Sequence, residues 1–292
     1  MCIRDSDYML PDCFGFGYTL PTIAAHSGLI GFSTQKLMWR HRPFHGTSKI
    51  PFEIGLWQGV DGSRIMAVMD AHNYTTKWRY EDLSHSKYLQ DIAQSNPLNA
   101  VYHYYGTGDT GGAPTIESVR ALELGLQGDG PVEIISATSD QLFLDYMDRR
   151  DELPTYDGEL LMDVHAGGCY TSQGAMKYYN RRNEELLGAA ERAAVAADWL
   201  GAKPYDRAKL NEVWQRVLWH QFHDDLTGTS IPRAYTFSWN DELISLKQFG
   251  DVLTTSVGAV SRGLDTDVKG LPVVLYNAAG FEVSDVVEVT LP

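Results

Sequence analysis

Apolar and polar residues alternate with two different periods along these 292 residues, strand-like at first and helical later. Residues 7–10 read as a short strand and Leu20–His26 as a helical stretch stopped by Ser27-Gly28. Residues 29–33 form a second apolar run. Residues 53–57 and 64–69 alternate with period two around Val60-Asp61-Gly62-Ser63, which is a hairpin pattern. Residues 98–105 read as an apolar-aromatic strand leading into a glycine-rich loop. Beyond it, 115–126 predict a helix, 132–137 a strand and 140–149 another helix. Strands interleaved with helices predict an α/β architecture with a parallel sheet. In such folds, catalytic groups sit on loops at the carboxyl ends of strands.

The second half changes character. Over 173–200, Leu186, Ala190, Ala193, Ala194, Ala197 and Leu200 fall on one helical face. Asp206 is placed to cap a second helix, with Leu210, Val213, Val217 and Leu218 on a stripe and Trp214 beside it. Residues 241–260 repeat the pattern through Leu243, Leu246, Leu253, Val257 and Val260. Three amphipathic helices in succession predict a three-helix bundle. A β-rich stretch follows, over 271–277 and 283–291.

Charge and cysteine content narrow the chemistry. A formal net charge of −14 disfavours nucleic acid and anionic membrane surfaces as partners. No apolar run reaches the length of a bilayer span, so no membrane span is expected. A neutral, polyhydroxylated ligand suits this balance. Cys2, Cys13 and Cys169 are odd in number and widely spaced, which supports neither a disulfide framework nor a CxxC metal site. Residues 1–6 have neither the apolar core of a signal peptide nor any cap or turn logic. They read as an artefactual junction on a truncated piece. The compartment is left open between cytoplasm and, with an upstream signal, periplasm or secretion.

Three places carry candidate chemistry. Asp12, in Leu10-Pro11-Asp12-Cys13-Phe14-Gly15, follows the first strand, where a sharp turn would aim its carboxylate into a site; an Asp there also caps a following helix. Asp109 lies among Gly108, Gly111 and Gly112, in backbone that can approach a ligand closely. The plainer reading is a turn-forming Asp. His220 and His223 are three apart and could share one metal, or be ordinary core or surface histidines. Asp224 beside His223 could orient it or meet a substrate.

These segments, in this order, resemble glycoside hydrolase family 38, the retaining α-mannosidases. Leu10 to Gly15 is similar to the family's Pro-Asp-Ser-Phe-Gly, and 32–39 to its Thr-Gln-Lys-Leu-x-Trp. Residues 105–114 resemble the Gly-x-Gly-Asp-x-Gly-Gly loop of its bacterial branch. Residues 165–173 resemble His-Arg-Gly-x-Tyr-Thr-Ser-Gln, with Ala166-Gly167-Gly168-Cys169 replacing the middle. Residues 222–229 resemble His-His-Asp-x-x-Thr-Gly-Thr.

The resemblance implies a partial (β/α)7-type barrel over 1–165, the three-helix bundle over 166–265 and the start of a β-sandwich over 266–292. It also implies hydrolysis of terminal α-mannosyl residues of glycans with Zn2+ as cofactor. Asp12 would be nucleophile and zinc ligand, Asp109 the acid/base and His223 a second zinc ligand. Trp39, Trp57, Tyr104, Tyr105 and Asp224 are candidate substrate contacts.

One motif of the family, a His-x-Asp on the first barrel strand supplying two zinc ligands, is not found ahead of Asp12; the His-x-Asp in this sequence is His223-Asp224-Asp225, inside the His-His-Asp-like segment. That omission implies weak metal binding and a fragment inactive alone. It keeps two alternatives in view: a non-catalytic sugar-binding remnant, or another metal-dependent carbohydrate hydrolase such as a deacetylase.

Overall fold

The computed structural model describes residues 6–37, 50–79, 81–162 and 167–290. The chain forms two compact units, Met1–Gly167 and Gly168–Pro292.

In the first unit, five strands make one sheet: β1 (Asp7–Met9), β2 (Gly31–Ser33), β3 (Ile54–Gln58), β4 (Arg64–Val68) and β5 (Thr155–Asp157). Their order is β1-β2-β4-β3-β5. Parallel pairs join β1 to β2, β2 to β4 and β3 to β5, while β3 and β4 form the antiparallel hairpin that the period-two pattern indicates. Gly62 closes its turn with φ +83°, a conformation that costs glycine little.

The Asp61 carboxylate accepts from Thr22 Oγ1, Ser63 N and Ser63 Oγ. It also meets His26 Nε2 at 2.8 Å, which ties the turn to helix α1 (Leu20–His26). The Thr22 hydroxyl leads these bonds in holding the Asp61 carboxyl well below its ordinary range.

Beneath the sheet, Ile54, Leu56, Met66, Val68, Leu98, Phe143 and Leu153 make one apolar core. Each large side chain so buried stabilises the fold by roughly 1.5–3 kcal/mol. Gly31 on β2 is a packing requirement, because a Cβ there would lie 2.1 Å from the Phe143 ring. Short helices complete this unit: α2 (Lys87–Ala93), α3 (Ile116–Gln127) and α4 (Gln141–Asp145).

Several expectations change. Residues 98–105 and 132–137 are not strands. Asn99 takes a left-handed φ of +51° that breaks an extended run. From that segment, Tyr104 N donates to Ala71 O at 2.9 Å. The expected helix over 140–149 is α4 followed by a 3-10 turn, Met147–Glu152. Among the described residues the sheet is open, with β1 and β5 at its edges.

In the second unit, α5 (Gly174–Trp199), α6 (Arg207–His220) and α7 (Pro232–Ser261) share a core of Leu187, Ala190, Ala194, Leu210, Val213, Val217, Phe249 and Val252. Asp206 caps α6 by accepting from Lys209 N at 3.0 Å. The third helix begins well before residue 241, with Pro232 in its first turn, where a missing N–H costs nothing. The described residues after α7 contain no strand. No helix among the described residues is long and apolar enough to cross a membrane.

Candidate active site

Asp12 lies in the turn after β1, its side chain 18% exposed. Lys36 and Tyr74 both reach its carboxylate. The Lys36 ammonium forms an ion pair with Oδ1, and Lys36 is itself buried, its side chain only 7% exposed. Its Nζ also lies 4.2 Å from the centre of the Phe14 ring, a cation–π contact. The Tyr74 hydroxyl donates weakly to both carboxylate oxygens, at 3.4 and 3.3 Å. A buried ammonium and carboxylate offset each other's desolvation only when closely paired, and here they are.

Tyr74 connects Asp12 to the loop of Asp109. Its ring fills the space where a Cβ on residue 108 would sit, 2.4 Å away, so only glycine fits there. Gly108 N donates to Tyr74 O at 3.0 Å and Thr75 Oγ1 to Gly108 O at 3.0 Å. Thr75 and Thr107 form an isolated antiparallel bridge, and Thr76 N donates to Gly106 O at 2.9 Å. Asp109 itself is exposed and adopts φ +67°. A non-glycine residue in that region carries strain and occurs chiefly where a turn or a site requires it.

In the second unit, α6 ends at His220 and a tight turn follows. His220 Nδ1 is 2.5 Å from Asp225 Oδ2, and its Nε2 is 3.3 Å from Asp241 Oδ2. A carboxylate thus stands at each ring nitrogen of His220, and among the described residues no third ligand joins His220 and His223 to make a metal group. Asp225 Oδ1 also accepts from Ser238 Oγ on α7, at 2.8 Å. The Asp224 carbonyl accepts from Thr229 N, Ser230 N and the Tyr235 hydroxyl. The turn carrying His223 and Asp224 is thus bonded to both flanking helices. His223 Nε2 sits 3.4 Å from Asp224 Oδ2, and its ring lies against Phe222, centroids 4.1 Å apart.

Two of the expected substrate contacts are buried. Trp57 is 0% exposed, donates through Nε1 to Gly158 O at 2.8 Å and packs against Phe16 and Phe32. Tyr104 is 6% exposed, and its hydroxyl donates to Ser33 Oγ at 2.9 Å. Both serve the core. Tyr105 remains accessible and stacks on Trp78, with ring centroids 5.6 Å apart. Trp39 and His165 lie outside the described residues. Lys36 and Tyr74 were not singled out in the sequence. A lysine directly after three polar residues, in a run with no acidic neighbour, gives no local sign that its partner is 24 positions upstream.

A zinc ion does not fit the described residues alone. A catalytic zinc normally keeps at least three protein ligands. Among the described residues, no group of three His, Cys, Asp or Glu side chains converges to hold a metal. Asp12, one of the two expected ligands, has the Lys36 ammonium against it.

Comparison with known proteins bears on the same segments. Residues 4–159 match the family described as "Glycosyl hydrolases family 38 N-terminal domain", and 164–260 match "Alpha mannosidase middle domain". The chain is 31% identical to Alpha-mannosidase G of Dictyostelium discoideum, over 97% of this chain and 27% of that protein. It is 30% identical to an Alpha-mannosidase of Saccharomyces cerevisiae, over 80% of this chain and 22% of that protein. Among solved structures, it is similar to an alpha-mannosidase from Enterococcus faecalis, with a TM-score of 0.68 at 17% identity, covering 91% of this chain and 31% of the other.

The chain belongs to glycosyl hydrolase family 38. It spans about a quarter of the length of the curated relatives it matches. Membership in a glycoside hydrolase family gives no support to the deacetylase alternative.

Proposed function

We propose that this chain carries the catalytic carboxylates of an α-mannosidase that releases terminal α-mannosyl residues from glycans with retained configuration. One observation carries this reading. The Asp12 carboxylate is held by Lys36 and Tyr74, and the same Tyr74 forms the floor of the glycine loop that presents Asp109.

Asp12 attacks the anomeric carbon and forms a glycosyl ester, while Asp109 protonates the departing oxygen. Asp109 then takes a proton from water, which attacks the ester and frees the sugar. A retaining pair works at a carboxyl separation of roughly 5–5.5 Å. Lys36 stops the carboxylate of the nucleophile rotating away; Tyr74 supplies a second fixed donor. The open sheet is read as part of a (β/α) barrel, and Asp224, in the second unit, as a residue of a type that can bond a sugar hydroxyl.

Zinc enters only as a proposal about donor types. Asp12 in the first unit and His223 in the second are each of a donor type that zinc takes, but among the described residues no group of three ligands is present, so no step is assigned to it. The 292-residue chain alone is expected to retain no stoichiometric zinc after gel filtration. One bound zinc per chain, lost on Asp12→Ala, would overturn that expectation.

The deciding experiment is hydrolysis of an aryl α-mannoside by this chain and by a version extended upstream with a strand carrying His-x-Asp. The released anomer would be followed by NMR. Activity abolished by Asp12→Ala, with the α-anomer released first, is the expected result. Release of the β-anomer would refute retention. Sugar binding without turnover in either folded form would favour the non-catalytic remnant.

A further inference from the structure

Four aromatic rings form a column beside the Asp109 loop. His72 stacks on His103, with centroids 5.0 Å apart and planes 21° from parallel. His103 meets Trp78 at 5.1 Å, and Trp78 lies near-parallel to Tyr105 at 5.6 Å and 22°. The column begins in the interior, at buried His72, and ends at Tyr105, which is 38% exposed and four residues before Asp109.

The column is held rigidly along its length. His72 N donates to Asp70 Oδ1 at 3.0 Å, and the Tyr88 hydroxyl is bonded to His72 Nδ1 at 3.2 Å. His103 Nδ1 donates to the Tyr104 carbonyl at 2.5 Å. The bond from Thr76 N to Gly106 O sets the spacing of the segments that carry Trp78 and Tyr105. His72 adopts φ +56°, in the left-handed region that few non-glycine residues enter. Such backbone persists where the surroundings over-determine it and is concentrated at ligand sites. The column ends next to a candidate acid.

We propose that Tyr105, backed by Trp78, is the stacking platform for the sugar on the leaving-group side of the scissile bond. The inference rests on the proposed role of Asp109. The group that protonates the leaving oxygen stands on the leaving group's side, and Tyr105 is on the same loop. The mannosyl ring instead faces Asp12. The C–H face of a pyranose packs on an aromatic face while its hydroxyls stay in water, and the chain's charge of −14 favours a neutral ligand over an anionic one.

The test is titration of the 292-residue chain with α-linked mannobiose and with methyl α-mannoside, read by intrinsic tryptophan fluorescence and by saturation-transfer NMR. Tyr105→Ala is expected to weaken mannobiose binding about three- to tenfold, the range an aromatic contact supplies, and to leave methyl α-mannoside unchanged. Tyr105→Phe should retain both affinities, and Trp78→Phe should remove most of the fluorescence response to mannobiose. Tyr105→Leu serves if Tyr105→Ala fails to fold, since it keeps apolar bulk without a ring face. Equal weakening of both sugars, or of neither, overturns the proposal. If the wild-type chain binds neither sugar, the reading of Asp12 and Asp109 falls first, and this platform falls with it.

Discussion

Acidification from pH 7 to pH 4 forces protons onto two imidazoles that the fold holds neutral. Burial pushes His72 from an ordinary 6.5 down to about 4, and burial is again the main cause for His103, also at about 4, with the neighbouring His72 adding to it. Between these values the unfolded chain binds protons that the folded one refuses. The stabilising contribution is therefore complete above pH 6.5 and is lost as the pH falls toward 4. At about 1.4 kcal/mol per pH unit, each ring accounts for about 3 kcal/mol as an upper figure. The pair together approaches the whole stability of a typical domain.

Three groups near the rings enter the account. Asp70 favours the protonated form of His103, opposing the burial effect, and the Tyr88 hydroxyl bonds to His72. Glu53, raised above its usual range by burial and by Asp70, keeps its proton in the folded state and so works in the opposite direction over part of the window. The assay is urea unfolding at half-unit steps from pH 7 to 4, for the wild type and for His72→Asn/His103→Gln. Asparagine tolerates the left-handed backbone at 72. Wild-type stability should fall steeply below pH 6.5, and the double variant should be nearly flat. A double variant that loses stability as steeply as the wild type would refute the reasoning.

Lys36→Met strands the Asp12 carboxylate and should cost about 3 kcal/mol in chemical denaturation, with most of it recovered in Lys36→Met/Asp12→Leu; an additive double variant would mean the pair is not coupled. Gly31→Ala drives a methyl into the Phe143 ring and should destabilise the first unit by about 1–3 kcal/mol, seen as a lowered Tm. Gly31→Ala/Phe143→Leu should regain part of that loss. Asp225→Ala removes the partner of both His220 and Ser238 and should cost about 3 kcal/mol. Hydrogen exchange in that variant should quicken over 221–230 before it does in α6.

Elements with an uninterrupted period were legible in the sequence. Leu20–His26 and the helix capped by Asp206 fall where their start and stop residues put them, and the Gly62 hairpin follows from alternation and turn chemistry. Residues 98–105 misled because an apolar run has the same composition whether it is a strand or a buried irregular segment, and the left-handed turn at Asn99 leaves no mark in hydrophobicity. The burial of Trp57 was illegible for a related reason. An aromatic residue suits a sugar and a core equally, and only the sheet's position decides between them. Asp12 and Asp109 could be singled out from their neighbours, but Lys36 and Tyr74 could not, since long-range pairing gives no local signal. The extra turns at the start of α7 were missed because Tyr235 and Ser238 face a polar interior cluster that breaks the apolar stripe.

The left-handed backbone of Asp109 bears on how its chemistry can be dissected. Removing a carboxylate is usually done with alanine, but here alanine would keep the Cβ in a region that disfavours it, mixing a conformational penalty with the loss of the acid. Glycine does the opposite. It deletes the acid, relaxes the backbone and opens a small space in a loop already shaped by Gly106, Gly108, Gly111 and Gly112. Asp109→Gly is therefore the natural vehicle for chemical rescue, in which formate or azide diffuses into the vacated position and restores the missing acid or nucleophile from solution.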